Sequence, residues 1–250
     1  MVASAFPVLF LAGVLVVTTV AALVQGSLGL GLALVASPAL IVVDPAFVPF
    51  PVLISALIAS VWTMWRDRRS GIADKFVWTL VGIPIGIPVG VLLLQVLPTA
   101  VLMLGLGLMV LVTAPLAVTA SGIRPTSGYL GVGGLLSALA GTTVGLTGPT
   151  VAIVYNRLPP AVLRMTMAVY LSVVQTIAVV ALVLAGRATR DVLVLAALTV
   201  PGTVLGLALS GPLARRINPR TARIAVVVVC GTAGASLTVK ALAEVITAGV

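Results

Sequence analysis

Two glycine-interrupted stretches carry the residue types that bind a small anion inside an apolar protein. The first, Gln25-Gly26-Ser27-Leu28-Gly29-Leu30-Gly31, lies in an apolar run where its glycines disfavour a continuous helix. The second, Gly141-Thr142-Thr143-Val144-Gly145-Leu146-Thr147-Gly148, has the same character in the other half of the chain. A helix that starts after such a break leaves its first N–H groups unpaired, and these attract negative charge. Neighbouring hydroxyl and amide groups add donors without adding a buried charge.

The candidate binding residues are the donors and glycines of these two stretches, with one amide from a later apolar segment. They are Gln25, Gly26, Ser27, Gly29, Gly31, Gly141, Thr142, Thr143, Gly145, Thr147, Gly148 and Gln175. The alternative is that the glycines only allow close contact between helices. Their recurrence in both halves favours binding. For Gln175, a lining role and a structural hydrogen bond between helices remain equally open.

Composition excludes a soluble protein. Charged residues make up 8% of the chain, against roughly 25% in soluble domains. No charge occurs between Phe76 and Ile123, which is room for two membrane helices of about 20 residues each. The sequence therefore predicts an all-α polytopic membrane protein.

The charged and reactive residues exclude several functions. The 14 basic residues against 5 acidic ones are typical of cytoplasmic loops beside a lipid bilayer, and no pattern indicates nucleic-acid binding. Histidine is absent and Cys230 is the only cysteine, so no metal site or cofactor is expected. No Walker sequence, paired carboxylate or activated nucleophile occurs in mid-membrane, so an enzyme is not expected either.

An internal duplication organises the chain. Gly29 and Gly145 lie 116 positions apart, and the pair Gly86 and Gly90 recurs as Gly202 and Gly206 at the same offset. These landmarks predict two membrane repeats, residues 1–122 and 123–250. Glycines four positions apart within a long helix indicate packing faces.

Ten apolar segments divide as five plus five, and the odd number predicts that the two halves insert in opposite orientations. The segments lie at about 6–25, 30–43, 50–65, 76–96, 99–119, 127–140, 149–156, 160–186, 192–212 and 224–246. The second, sixth and seventh reach at most about 21 Å, short of a ~30 Å hydrocarbon core. They are expected to form short or re-entrant helices whose glycine tips lie near the midplane, away from the arginine-rich loops.

Basic residues predict the orientation. If every segment returns the chain to the opposite side, one side receives 11 of the 14 basic residues and the other 3. The loops Arg66–Lys75 and Arg215–Arg223 belong to the richer side, which the positive-inside rule assigns to the cytoplasm. Both termini are then expected outside.

The glycine-broken stretch ending at Pro38, its second copy ending at Pro149, and the two later glycine pairs resemble the TauE/SafE sulfite exporter family. The resemblance covers the chain from about Gly13 to about Val239 and implies about eight helices in a bacterial plasma (inner) membrane. Together with the ten apolar segments, this gives an expectation of about 8–10 membrane segments. It implies a secondary-active permease that exports a small oxyanion, sulfite or an organosulfonate, by alternating access. Sulfate, thiosulfate or a carboxylate are alternative substrates, and a non-transporting assembly factor is a further alternative. The sequence leaves open a coupling proton or cation and the oligomeric state.

Overall fold

The described part of the chain is mainly helical. The computed structural model describes residues 8–29, 31–119, 125–155 and 157–214, with residues 228, 231–232, 234–239 and 241–243 further on. These residues contain helices, turns and loops but no strand. The helices up to residue 214 are α1 Val8–Leu28, α2 Leu32–Val43, α3 Phe50–Arg66, α4 Val77–Leu80, α5 Ile83–Val96, α6 Thr99–Thr119, α7 Ser127–Val144, α8 Pro149–Val154, α9 Pro160–Leu184 and α10 Arg190–Ala214. A 3₁₀ turn, Pro45–Phe47, precedes α3.

Membrane-spanning helices dominate the fold. Among the described residues, five helical stretches are long and apolar enough to cross a membrane. They are Val8–Leu28, Pro45–Arg66, Val77–Val96, Pro160–Leu184 and Arg190–Gly211. The predicted all-α polytopic membrane protein is confirmed.

The helices α2 and α8 are too short to cross a membrane, and neither belongs to one of these five stretches. α2 has 12 residues and α8 has 6, which correspond to about 18 Å and 9 Å at 1.5 Å per residue. Each follows an interruption and forms a hairpin with the helix before it. We call α1–α2 the first hairpin and α7–α8 the second hairpin.

The interruptions are shorter than the sequence predicted. The preceding helices continue through Gly26 and Gly141, and the non-helical residues that the structure describes at the breaks are Gly29, Gly31 and residues 145–148. A single glycine disfavours a helix by only about 1 kcal/mol. Both helical glycines also lie where a neighbouring side chain leaves no room for a Cβ atom. Close packing, of Gly26 against Ser210 of α10 and of Gly141 against Thr147 of the break, therefore offsets the low helix propensity of glycine.

The repeated glycine pairs lie at helix contacts, as predicted. Gly202 and Gly206 of α10 face α1, while Gly86 and Gly90 of α5 face α7. A Cβ atom at Gly90 would lie 2.9 Å from the carbonyl oxygen of Leu139. The absence of a side chain at these positions brings the helix backbones together.

Helices of the two halves exchange partners. α1 packs along α10, α5 packs along α7, and α3 packs along α9. α6 meets the described C-terminal residues where Gly107 approaches Gly234. A two-fold relation between the halves produces such an exchange, so the pattern supports the inverted repeat, which stays a prediction. The boundary at residues 122 and 123, the loop Arg215–Arg223 and most of the last predicted segment lie outside the described residues.

Contacts between helix ends define two opposite faces of the bundle. Arg164 at the start of α9 bonds to Asp67 just after α3, so these helix ends share one face. We call it the arginine face. At the opposite end, Arg187 donates a hydrogen bond to the carbonyl oxygen of Leu94, which joins the α9–α10 connection to the end of α5. We call this the cavity face.

Candidate functional site

The first interruption lies between α1 and α2. Gly29 (φ +83°) and Gly31 (φ +123°) adopt backbone conformations that residues with side chains rarely take. The side-chain oxygen of Gln25, a residue only 2% exposed, accepts a 3.1 Å hydrogen bond from the N–H of Leu32. Gln25 therefore holds the start of α2. Within the described part of the chain, its Nε2 and the Oγ of Ser27 are buried atoms with no hydrogen-bond partner.

The second interruption has a comparable design. Gly145 (φ +72°) closes α7 in a left-handed conformation, and its N–H bonds to the carbonyl oxygen of Gly141 at 3.0 Å. Gly148 (φ +104°) precedes α8 and donates its N–H to the Oγ of Ser137 at 2.8 Å. In each half, a polar side chain of the helix before the break binds an N–H group at the start of the helix that follows it, at Leu32 in α2 and at the N-cap Gly148 of α8. Ser137 was not among the predicted residues, although this serine lies 11 residues before Gly148 in a segment of otherwise small and apolar residues.

One buried network joins the second interruption to both halves of the bundle. Gln175 of α9, which is 1% exposed, donates from Nε2 to the Oγ1 of Thr147 at 2.9 Å. Its side-chain oxygen lies 3.1 Å from the Oγ of Ser60 in α3. The Ser60 hydroxyl also lies 2.7 Å from the carbonyl oxygen of Ala56. The two predicted residues Gln175 and Thr147 are therefore in direct contact, and Ser60 is an addition that the sequence analysis did not select.

The two threonines before the second interruption are arranged differently from what the sequence predicted. Thr142 and Thr143 are helical, and their hydroxyls donate to the carbonyl oxygens of Ala138 and Leu139 at 2.8 and 2.9 Å. Threonine commonly bonds back to the preceding turn in this way. Their hydroxyl protons are engaged, but the oxygens can still accept a hydrogen bond.

Ser37 joins the two hairpins. It lies on α2, is fully buried, and its Oγ has no partner among the described residues. A Cβ atom at Gly145 would lie 3.2 Å from this Oγ. The first hairpin therefore presents a free hydroxyl to the second interruption. The sequence does contain a signal for Ser37 as a candidate binding residue. It lies one residue before Pro38, in the helix that follows the first glycine stretch.

The surroundings of the first interruption correct one expectation. The sequence placed the glycine tips away from the arginine-rich loops, but Arg66 donates from Nη2 to the carbonyl oxygen of Gly26 at 2.6 Å. A Cβ atom at Gly29 would lie 2.8 Å from the Cα of Arg164. α1 is a full-length helix, so its C-terminal end reaches the arginine face and does not stop at the midplane.

An ion-pair cluster occupies this face. Arg164 Nε lies 2.7 Å from Asp67 Oδ2, and Arg66 Nε lies 3.2 Å from Asp67 Oδ1. Burial raises the pKa of Asp67, but hydrogen bonds and positive charge from Arg66 and Arg164 outweigh this effect and hold the pKa below its ordinary value. The carboxylate therefore stays ionised at neutral pH.

A cavity opens at the other end of the bundle. Its volume is about 810 Å³, and its lining includes Gln95, Thr99, Thr143, Arg187 and Thr189. Arg187 is the charged residue of this lining. Through Thr143, the cavity reaches the last turn of α7, directly before the second interruption.

The predicted residues thus form two groups. Gln25, Gly26, Ser27, Gly29 and Gly31 surround the interruption near the arginine face, whereas Gly141, Thr142, Thr143, Gly145, Thr147, Gly148 and Gln175 surround the one nearer the cavity. Between the groups runs the first part of α2, which carries Ser37.

Interrupted helices with buried polar groups at the breaks, inside a bundle of membrane-spanning helices, define a multi-pass membrane transporter. The chain belongs to the sulfite exporter TauE/SafE family, which matches residues 14–237. Neither the comparison with curated proteins nor the comparison with solved structures gave a match. The family comprises transporters rather than enzymes.

Proposed function

We propose that this protein is a secondary-active permease that exports a small oxyanion, sulfite or an organosulfonate, across the bacterial plasma (inner) membrane. The observation that carries the proposal is the interruption of one membrane hairpin in each half at glycines with positive φ, in a chain of the sulfite exporter family. Such breaks expose backbone polar groups at membrane depth, which is tolerated where they are buried in protein or line a cavity.

Neutral donors suit the transport of an anion. A charged side chain in mid-membrane is costly and would bind an oxyanion too tightly for release. Gln25 Nε2, Ser27 Oγ and Ser37 Oγ are buried groups without partners among the described residues. Each is a candidate donor to an oxyanion that has lost part of its water shell. A neutral hydrogen bond contributes about 0.5–1.5 kcal/mol, so several together bind without trapping.

The two ends of the bundle fit opposite access routes. The cavity leads inwards as far as Thr143, and the opposite route is covered by the cluster of Arg66, Asp67 and Arg164. Alternating access would open the arginine face while closing the cavity. The positive-inside rule assigns the arginine face to the cytoplasm and both termini to the outside, so an exported anion arrives at the arginine face.

Counterflow in proteoliposomes tests the proposal and its alternatives. Vesicles preloaded with unlabelled sulfite are expected to accumulate radiolabelled sulfite, and an organosulfonate is expected to compete. Stronger competition by sulfate, thiosulfate or a carboxylate would reassign the substrate. A purified, folded protein that exchanges none of these anions would contradict a permease and favour an assembly factor. Repeating the assay with an imposed pH or sodium gradient identifies the coupling ion.

A further inference from the structure

The carboxylate of Asp67 bridges two guanidinium groups. Its two oxygens lie 2.7 Å from Arg164 Nε and 3.2 Å from Arg66 Nε. A pair of arginines around one small acidic group is the arrangement by which proteins recognise carboxylates and other oxyanions. Two positive charges surround one negative charge, so the cluster keeps a net positive charge.

The cluster lies directly against the first interruption. Arg66 donates to the carbonyl oxygen of Gly26 and also to the Oγ of Ser210 at 3.2 Å. The backbone of Arg164 packs against Gly29 so closely that a Cβ atom there would lie 2.8 Å from its Cα. The cluster therefore connects α1, α3, α9 and α10, which come from both halves.

The cluster is accessible from the arginine face, while donors lie behind it. The side chains of Arg66, Arg164 and Asp67 are 28%, 27% and 11% exposed. Gln25 directly precedes Gly26, the residue whose carbonyl oxygen Arg66 binds, and its buried Nε2 has no partner among the described residues. The turn of α1 that contacts Arg66 thus carries an unused donor on a side chain that is 2% exposed.

We propose that Arg66 and Arg164 form a binding site for a small oxyanion at the arginine face, and that Asp67 fills this site as a tethered carboxylate until the anion displaces it. The proposal rests on the proposed function and adds the site where the transported anion is first bound. The contact between Asp67 and Arg164 holds the start of α9 to the end of α3, and displacement of Asp67 breaks it. Anion binding is thereby coupled to opening of this face.

A tethered competitor predicts a gain of affinity when it is removed. Asp67→Asn keeps the size and hydrogen-bonding capacity of the side chain but removes the charge that competes with the anion. In isothermal titration calorimetry of the purified full chain with sulfite, Asp67→Asn is expected to lower Kd by about tenfold. Arg66→Gln and Arg164→Gln are each expected to raise Kd by about ten- to a hundredfold.

Asp191→Asn is the matched control. Asp191 lies in the first turn of α10, at the cavity face, and its replacement removes the same charge without touching the cluster. Its Kd is expected to equal that of the parent. If Asp67 serves only to link the two helices, Asp67→Asn lowers the stability and leaves the Kd for sulfite unchanged or raises it. This result would overturn the inference.

A second measurement leaves Arg66, Asp67 and Arg164 unmutated. Trp65 lies directly before Arg66, and the guanidinium of Arg68 lies 5.4 Å from its ring centroid. With Trp62→Phe and Trp78→Phe, the fluorescence of Trp65 is expected to change as sulfite saturates the protein. An unchanged signal at saturation would contradict displacement of Asp67. A parent that transports sulfite with neither effect overturns only this inference, whereas a parent that neither binds nor transports sulfite overturns the proposed function as well.

Discussion

At the scale of single residues, one amide supports the second interruption. Gln175 bonds Thr147 with its nitrogen and approaches Ser60 with its oxygen, and all three side chains are buried. Thr147 belongs to the break itself, so Gln175 fixes the position of the chain between α7 and α8. A buried polar group that loses its partner is destabilised because it has no water to replace it.

Replacement of Gln175 by a residue of similar size without hydrogen-bonding groups tests this role. Gln175→Met is expected to lower the free energy of unfolding by about 1–3 kcal/mol. The rate of sulfite exchange is expected to fall at least in proportion to the loss of folded protein. Thermal unfolding in detergent and counterflow measure the two effects. Thr176→Val is the control, because Thr176 is exposed on the same helix and its hydroxyl donates to the carbonyl oxygen of Ser172 in the preceding turn. Equal behaviour of both variants would contradict a supporting role for Gln175.

At the scale of elements, the sequence predicted most helix bounds but misjudged the glycine stretches. Long apolar runs that end at charged residues predicted α3 and α9, because length and hydropathy alone define a membrane helix. Glycine content does not show where a helix ends, since packing against a neighbour decides it. Gly26 and Gly141 are helical, whereas Gly145 and Gly148 end or precede a helix with positive φ.

Contacts between residues far apart in the chain could not be predicted from the sequence pattern, for the same reason. Arg66 and Asp67 looked like ordinary loop residues because nothing local shows that Arg164 lies beside them. Ser37 and Ser137 looked like single polar residues in apolar helices, and only the fold brings them to the second interruption. Packing contacts, by contrast, were predictable from the repeated spacing of Gly86 and Gly90.

The glycine contacts between α5 and α7 and between α1 and α10 predict sensitivity to a single methyl group. Gly90→Ala and Gly206→Ala are expected to lower the stability by about 1–3 kcal/mol, because the new Cβ meets backbone atoms that cannot move aside. Gly105→Ala is the control: nothing lies within 4 Å of a Cβ there. Thermal unfolding in detergent compares the three. Unchanged midpoints for Gly90→Ala and Gly206→Ala would show that these helices are not held by close contact.

At the scale of the whole molecule, the exchange of helices between halves suits a transporter with two alternating states. α1 belongs to the first half but packs along α10, and α7 belongs to the second half but packs along α5. Each hairpin is thereby carried by a helix from the other half. Under the proposed alternating access, movement of one half would shift the interruption of the other.

The predicted orientation assigns a side to each end of the bundle. In a Cys230→Ser background, Thr189→Cys at the cavity face is expected to react with an impermeant thiol reagent on intact cells. Ser70→Cys, in the loop of the arginine face, is expected to react only after permeabilisation. The reason is the excess of basic residues on the Ser70 side. Labelling of Ser70→Cys in intact cells, with Thr189→Cys protected, would reverse the orientation.

The central claim is that a small oxyanion crosses the membrane at the interrupted hairpins, and gradient-driven sulfite flux in proteoliposomes tests it most directly. The parent is expected to move radiolabelled sulfite well above empty vesicles. Gly145→Leu should abolish the flux, because Gly145 has φ +72° and faces Ser37. Gly105→Leu, with open space at its Cβ, should keep it. Parent flux equal to that of empty vesicles, or a folded Gly145→Leu protein with parental flux, would contradict the account.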